Sequence, residues 1–171
     1  GHIARCATLA DRLRAQGARV TFISRDLPGH YNDWLEEQGF AVRRLPAPGD
    51  VPENSWLGVS LAQEISDCHP CLASEAPWDW IVVDHYGLDR EWESAARQHA
   101  SKILVIDDLA DRHHDCDLLL DQNLQPAPGR YAGLVPPTCR LLLGPRFALL
   151  RDEFAALRDA TPARQGPLRR L

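Results

Sequence analysis

The chain has 171 residues, 44% of them hydrophobic and 25% charged, with a formal net charge of −5, a length that fits one domain around one core. The acidic balance argues against general binding to nucleic-acid backbones, since no basic excess exists to displace counterions. Apolar runs such as Ile81–Val83 and Leu118–Leu120 fall far short of the roughly 20 residues that span a bilayer, so no membrane association is expected. The five cysteines follow no regular framework and read as the reduced thiols of a cytoplasmic protein.

In chain order, Ile3, Cys6, Ala7, Leu9, Ala10 and Leu13 recur at helical spacing, which predicts a helix over 2–16 closed by Gly17. The β-branched and apolar stretch 18–24 predicts a strand. A short helix over 31–38, closed by Gly39, and a strand over 40–45 follow. Residues 46–52 are a Pro/Gly loop, and 57–73 has helical periodicity with an interruption expected near Pro70. Then come a strand over 79–84, an amphipathic helix over 88–100, strands over 102–107, 117–121 and 140–144, and a last helix over 147–160. Nearly all-apolar strands alternating with helices indicate an α/β protein with a Rossmann-like, doubly wound, mostly parallel sheet. A strand is expected ahead of residue 1, ending in the turn that carries Gly1 and His2. Residues 1–160 read as the domain and 161–171, with Pro162, Gly166 and Pro167, as a linker.

Open α/β sheets bind ligands beyond the carboxyl ends of their strands, and there the polar residues collect. Asp84, His85 and Tyr86 follow Ile81–Val83; Asp107 and Asp108 follow Ile103–Ile106; Asp121, Gln122 and Asn123 follow Leu118–Leu120. Each aspartate is also a good turn former or helix cap. Trp78, Trp80 and Trp92 read as core or domain-edge packing. A zinc site is a weaker reading of Cys68, Cys71, His113 and Cys116, because their spacing matches no standard finger; no metal or other cofactor is expected.

The opening Gly1-His2-Ile-Ala-Arg5-Cys6-Ala-Thr-Leu9-Ala10 resembles the motif Gly-His-x-x-Arg-Cys-x-x-Leu-Ala of the UDP-2,4-diacetamido-2,4,6-trideoxy-β-L-altropyranose hydrolases of pseudaminic acid biosynthesis. Three later stretches are similar to that family in the right order: Asp84 to Glu93, Ile106 to Asn123, and Gly144 to Phe154. The resemblance implies one half of a GT-B-like two-domain enzyme whose first strand is missing here. It implies cleavage of the C1–O bond with inversion, without metal, releasing UDP and the free sugar. The amino-terminal domain would supply the catalytic histidine and sugar contacts. A second domain, absent here, would hold the nucleotide.

On this reading His2 is the catalytic base, and Gly1, Asp84, Tyr86, Asp108, Gln122 and Asn123 bind substrate. A neutral imidazole within hydrogen-bond reach takes a proton from water, and the partial positive charge of a helix N-terminus disfavours the imidazolium. Tyr86 suits packing against a sugar ring. Gln122 and Asn123 suit acetamido groups, and Asp84 or Asp108 suits a hydroxyl or the orientation of the base. Alternatives are an inverting pair of carboxylates drawn from Asp84, Asp107, Asp108 and Asp121, a sugar-binding or interaction fragment without turnover, and the acceptor domain of a GT-B glycosyltransferase. The partner is a UDP-sugar. A homodimer is expected through surface left bare by the absent strand and domain.

Overall fold

The computed structural model describes residues 1–49, 56–124, 127 and 129–161; all of the expected linker except Thr161 lies outside these residues. Eleven main elements follow one another: α1 (His2–Ala15), β1 (Thr21–Arg25), α2 (Asn32–Glu37), β2 (Ala41–Leu45), α3 (Leu61–Ala73), β3 (Trp78–Val83), α4 (Arg90–Ala96), β4 (Ala100–Ile106), β5 (Leu118–Asp121), β6 (Arg140–Leu143) and α5 (Asp152–Ala160). Gly17 and Gly39 take the positive φ that follows α1 and α2, +89° and +77°, which glycine adopts without a side-chain clash.

Among the described residues every pairing is parallel, as the apolar strands predict, but the six strands described form two sheets. β1 pairs with β2, and a separate four-stranded sheet runs β3-β4-β5-β6. The main core joins the inner face of the larger sheet (Ile81, Val83, Ile103, Val105, Leu119) to Cys68 and Leu72 of α3 and Trp92 and Ala96 of α4. Leu45 and Ile23 pack into the same cluster and attach the smaller sheet. A second cluster holds α1 and α2 against β1 and β2 through Ala7, Ala10, Leu35, Phe40 and Phe22. On the larger sheet the register aligns Trp80 with Lys102 and Val82 with Leu104, and so on the face opposite Ile81 and Val83. That face is partly open: Trp80 is 47% and Val82 38% exposed.

Several boundaries differ from the periodicity, among them β1 (from Thr21, not 18), α4 (Arg90–Ala96, not 88–100) and β4 (from Ala100, not 102). α3 starts at Leu61, because Ser60 caps it, accepting the Gln63 N–H at 3.2 Å, and Gly58 just before lies at φ +72°. α3 also runs through Pro70, which sits in its last turn, where the lost donor costs one hydrogen bond near an end that frays in any case. α5 starts at Asp152 instead of Phe147. Pro145–Phe147 is a single 3₁₀ turn, Arg151 is extended, and the acidic Asp152 and Glu153 favour the new N-terminus.

Candidate active site

α1 presents its first turn to the carboxyl end of β3. Gly1 is the residue before the helix, its carbonyl accepting the Arg5 N–H at 3.2 Å. Residues 2, 5 and 6 fall on one helical face, and all three reach Asp84. Arg5 Nε and Nη2 donate to the two carboxylate oxygens at 2.7 and 2.5 Å, a bidentate pair, and Cys6 Sγ donates at 3.2 Å. The Asp84 side chain is only 3% exposed. Its carboxylate is committed to holding α1 on β3.

His2 Nδ1 lies 3.2 Å from the Asp84 backbone carbonyl and 3.4 Å from its Oδ1. Both oxygens accept only, so in the neutral ring the proton sits on Nδ1 and the lone pair on Nε2. The ring is about a third exposed, its side chain at 32%. It stands edge-on to Tyr86, with centroids 4.6 Å apart. The Tyr86 hydroxyl donates to Asp108 Oδ1 at 2.8 Å, and this bond, aided by partial burial, raises the phenol above its ordinary pKa, so it remains a donor. Arg5 Nη1 lies 3.9 Å from Asp108 Oδ2. Behind the pair, burial first and the facing His2 second hold His85 below the usual imidazole range. Cys6 is held far above the usual thiol range by burial and by Asp84, and is no nucleophile here.

The strand ends below are held by buried polar groups. Asp107 accepts the Ala110 N–H at 2.9 Å and pairs with Arg112 at 3.0 Å. Burial pushes its carboxyl up, but these donors and nearby His114 more than offset that and leave it lowered. His114 Nδ1 meets Glu93 at 2.8 Å, both side chains fully buried, and Glu93 also takes the Asp115 N–H. The Tyr131 hydroxyl bridges the Asp107 carbonyl, at 3.0 Å, and Asp121 Oδ2, at 3.1 Å. Asp121 also accepts the Asn123 N–H at 3.0 Å, a turn cap. Asp107 and Asp121 are thus buried and occupied. Together with the bound state of Asp84, this leaves the two-carboxylate alternative without an accessible pair.

His2, Asp84, Tyr86 and Asp108 therefore converge. Gln122 and Asn123 stand at the neighbouring strand end: Gln122 Oε1 accepts the Leu149 N–H at 3.1 Å, and Asn123 is exposed. Sequence reasoning missed Arg5 as an anchor, though its place three residues after His2 on a helix was a usable signal. It also missed Trp56, which lies edge-on to Tyr86 at 5.3 Å and is 65% exposed. His85 hydrogen-bonds the Trp56 backbone, and Leu57 sits where a Cβ on Gly87 would come within 2.7 Å of its Cγ. Trp92 is core as expected, Trp78 donates to the Leu72 carbonyl at 2.8 Å, and Trp80 is on the open face.

The residues weighed for zinc have separate partners: Cys68 neighbours Glu64, His113 lies beside Arg90, and Cys116 faces Cys139. Among the described residues no group of three or more His, Cys, Asp or Glu could hold a metal ion. Among them, too, no helix is long and apolar enough to cross a membrane.

No protein-family model matches the chain. An 84-residue stretch, 48% of this chain, matches 30% of the relative, so the match spans under a third of that protein's length. Over that stretch the chain is 37% identical, and so similar, to a UDP-2,4-diacetamido-2,4,6-trideoxy-beta-L-altropyranose hydrolase of Campylobacter jejuni subsp. jejuni.

Proposed function

We propose that this chain forms the sugar-side part of an enzyme that hydrolyses a UDP-linked 2,4-diacetamido-2,4,6-trideoxy sugar to UDP and the free sugar, as in pseudaminic acid biosynthesis, with His2 as general base. The observation that carries this reading is the placement of the His2 ring, with Nδ1 3.2 Å from the Asp84 carbonyl and the ring edge-on to Tyr86. With Nδ1 at Asp84, the neutral ring would carry its proton there and offer the Nε2 lone pair on a partly exposed ring beside Tyr86. In the reaction, water attacks C1 on the face opposite UDP. Its proton passes to Nε2, the C1–O bond breaks, and the electron pair leaves on the β-phosphate oxygen, which gives inversion. UDP is a good leaving group, so the acid-catalytic demand is small. Asp84 positions the base through its carbonyl, with Arg5 neutralising its carboxylate. Tyr86, fixed by Asp108, packs against the sugar, and Gly1, Gln122 and Asn123 meet its polar substituents. No cofactor takes part. The partly open face at Trp80 and Val82 is, in the same reading, a surface for self-association.

The test is UDP release from the UDP-sugar, measured for this chain and for a form extended at both ends to the relative's length. Substituting His2→Gln in whichever form turns over is expected to lower kcat by about 10²–10⁴ with little change in KM. Full activity of His2→Gln would overturn the assignment. Transfer of the sugar to an alcohol acceptor instead of water would favour the glycosyltransferase alternative.

A further inference from the structure

We propose that Cys116 and Cys139 are a redox-reactive pair that closes to a disulfide on contact with a hydroperoxide. Cys116 immediately precedes the segment leading into β5, and Cys139 immediately precedes β6. These strands pair in parallel with Leu118 opposite Arg140, and the Arg140 N–H donates to the Asp117 carbonyl at 2.9 Å, so the two backbones run side by side there. The two sulfurs lie 3.6 Å apart. That is van der Waals contact, and side-chain rotation closes it to the bond length of about 2.05 Å.

The two thiols are unlike. Cys116 is buried, whereas Cys139 is partly exposed. The hydrogen bond from Cys116 lowers the Cys139 pKa despite burial and the nearby Asp117, while that same contact and burial raise Cys116. Cys139 is therefore the attacking thiolate and Cys116 the resolving thiol. The Cys139 sulfur attacks one peroxide oxygen; an S–O bond forms, the O–O bond breaks, and the other oxygen leaves as alcohol or water, taking up the proton that the Cys139 thiol released. The Cys116 sulfur then attacks the sulfenic sulfur; the S–S bond forms, the S–O bond breaks, and the oxygen leaves as water with the Cys116 proton. Both sulfurs are oxidised by one electron each and the peroxide is reduced by two. Elsewhere, Cys6 donates to Asp84 and is raised by burial and that carboxylate, and burial pushes Cys68 up to about 12. The cross-link spans 23 residues of sequence that include Asp121, Asn123 and Tyr131, the groups that brace the strand ends.

The reduced chain is treated with hydrogen peroxide and digested with trypsin without reductant. The expected result is loss of two of the five thiols, a single linked species of peptides 113–130 and 131–140, and full reversal by dithiothreitol. A rise in Tm of about 5–10 °C accompanies oxidation. In Cys116→Ser, dimedone captures a sulfenic acid at Cys139; in Cys139→Ser, Cys116 stays reduced. The peptide map of the unsubstituted chain decides the question even if a variant fails to fold. Five surviving thiols, first oxidation at Cys71, or irreversible oxidation of Cys139 without a link to Cys116 would each overturn the proposal.

Discussion

Asp84 carries the most interactions of any single residue at the site, and it differs in kind from Asp108. Its carboxylate is buried under the Arg5 fork, Cys6 and the edge of His2. Removing one partner of such a pair strands the other charge. Asp84→Ala is expected to cost about 2–4 kcal/mol in urea unfolding, at the lower end of buried pairs because Arg5 keeps some contact with water. Asp108→Asn keeps an acceptor for the Tyr86 hydroxyl and is expected to cost under about 1 kcal/mol. Equal losses for the two would show that Asp84 is no anchor. Gly87 makes a second residue-scale case. Any Cβ there meets Leu57 and the His85 ring, so Gly87→Ala is expected to displace Trp56, read as a shift in tryptophan fluorescence, with a cost of about 1–3 kcal/mol. Asp84 and Asp108 were both legible in the sequence as polar residues after apolar runs. Which one was already occupied was not, because the partner of Asp84 is 79 residues away.

At the scale of elements, the junction of α3, α4 and the start of β4 contains a histidine pair. His99 Nε2 lies 3.2 Å from His69 Nδ1, with Ile65, Cys68, Leu72, Trp92 and Ala96 around them. Burial first and the facing His69 second hold His99 below its ordinary value, and burial does the same to His85. Since the folded pKa is lowered, the unfolded chain binds the proton more readily. The stability is complete above the unfolded value of about 6.5 and is lost as pH falls through it. Unfolding midpoints are therefore expected to drop between about pH 7 and pH 5, with a shallower slope in His99→Gln; an unchanged slope would exclude His99 as a source. Asp117 acts in another window. Burial raises it, but Lys102, the Ile103 N–H and Arg97 bring it down to about 2. Its contribution is present above the unfolded carboxylate value and is lost only as pH falls from about 4 to about 2. Helix type was readable at this scale, but starting points were not. The Ser60 cap, the Asp89 cap that starts α4, and the 3₁₀ turn at Pro145 override a periodicity that extends past them.

For the whole molecule, the division into two sheets matters most. α1 belongs to the smaller sheet by its apolar face and touches the larger one by its polar first turn, so the His2 site forms where the two meet. The face of the larger sheet at Trp80 and Val82 is less covered than parallel sheets usually are. If it mediates self-association, sedimentation velocity is expected to show a concentration-dependent dimer that Trp80→Lys with Val82→Lys makes monomeric. A chain that stays monomeric at high micromolar concentration would reject that surface.

The sequence by itself determined the α/β class, the parallel pairing, the order of elements, and the edge on which polar groups gather. It also carried the resemblance that an 84-residue match to a UDP-sugar hydrolase supports. The class, the pairing, the order and the edge follow from local periodicity and from residue types at strand ends, which need only neighbouring positions to be read. Only the tertiary structure decided that the strands divide between two sheets, that Arg5 occupies Asp84, that Trp56 reaches Tyr86, and that Cys116 meets Cys139. Each of these depends on strand neighbours and on contacts across tens of residues, and the pattern of apolar and polar positions leaves such pairings open.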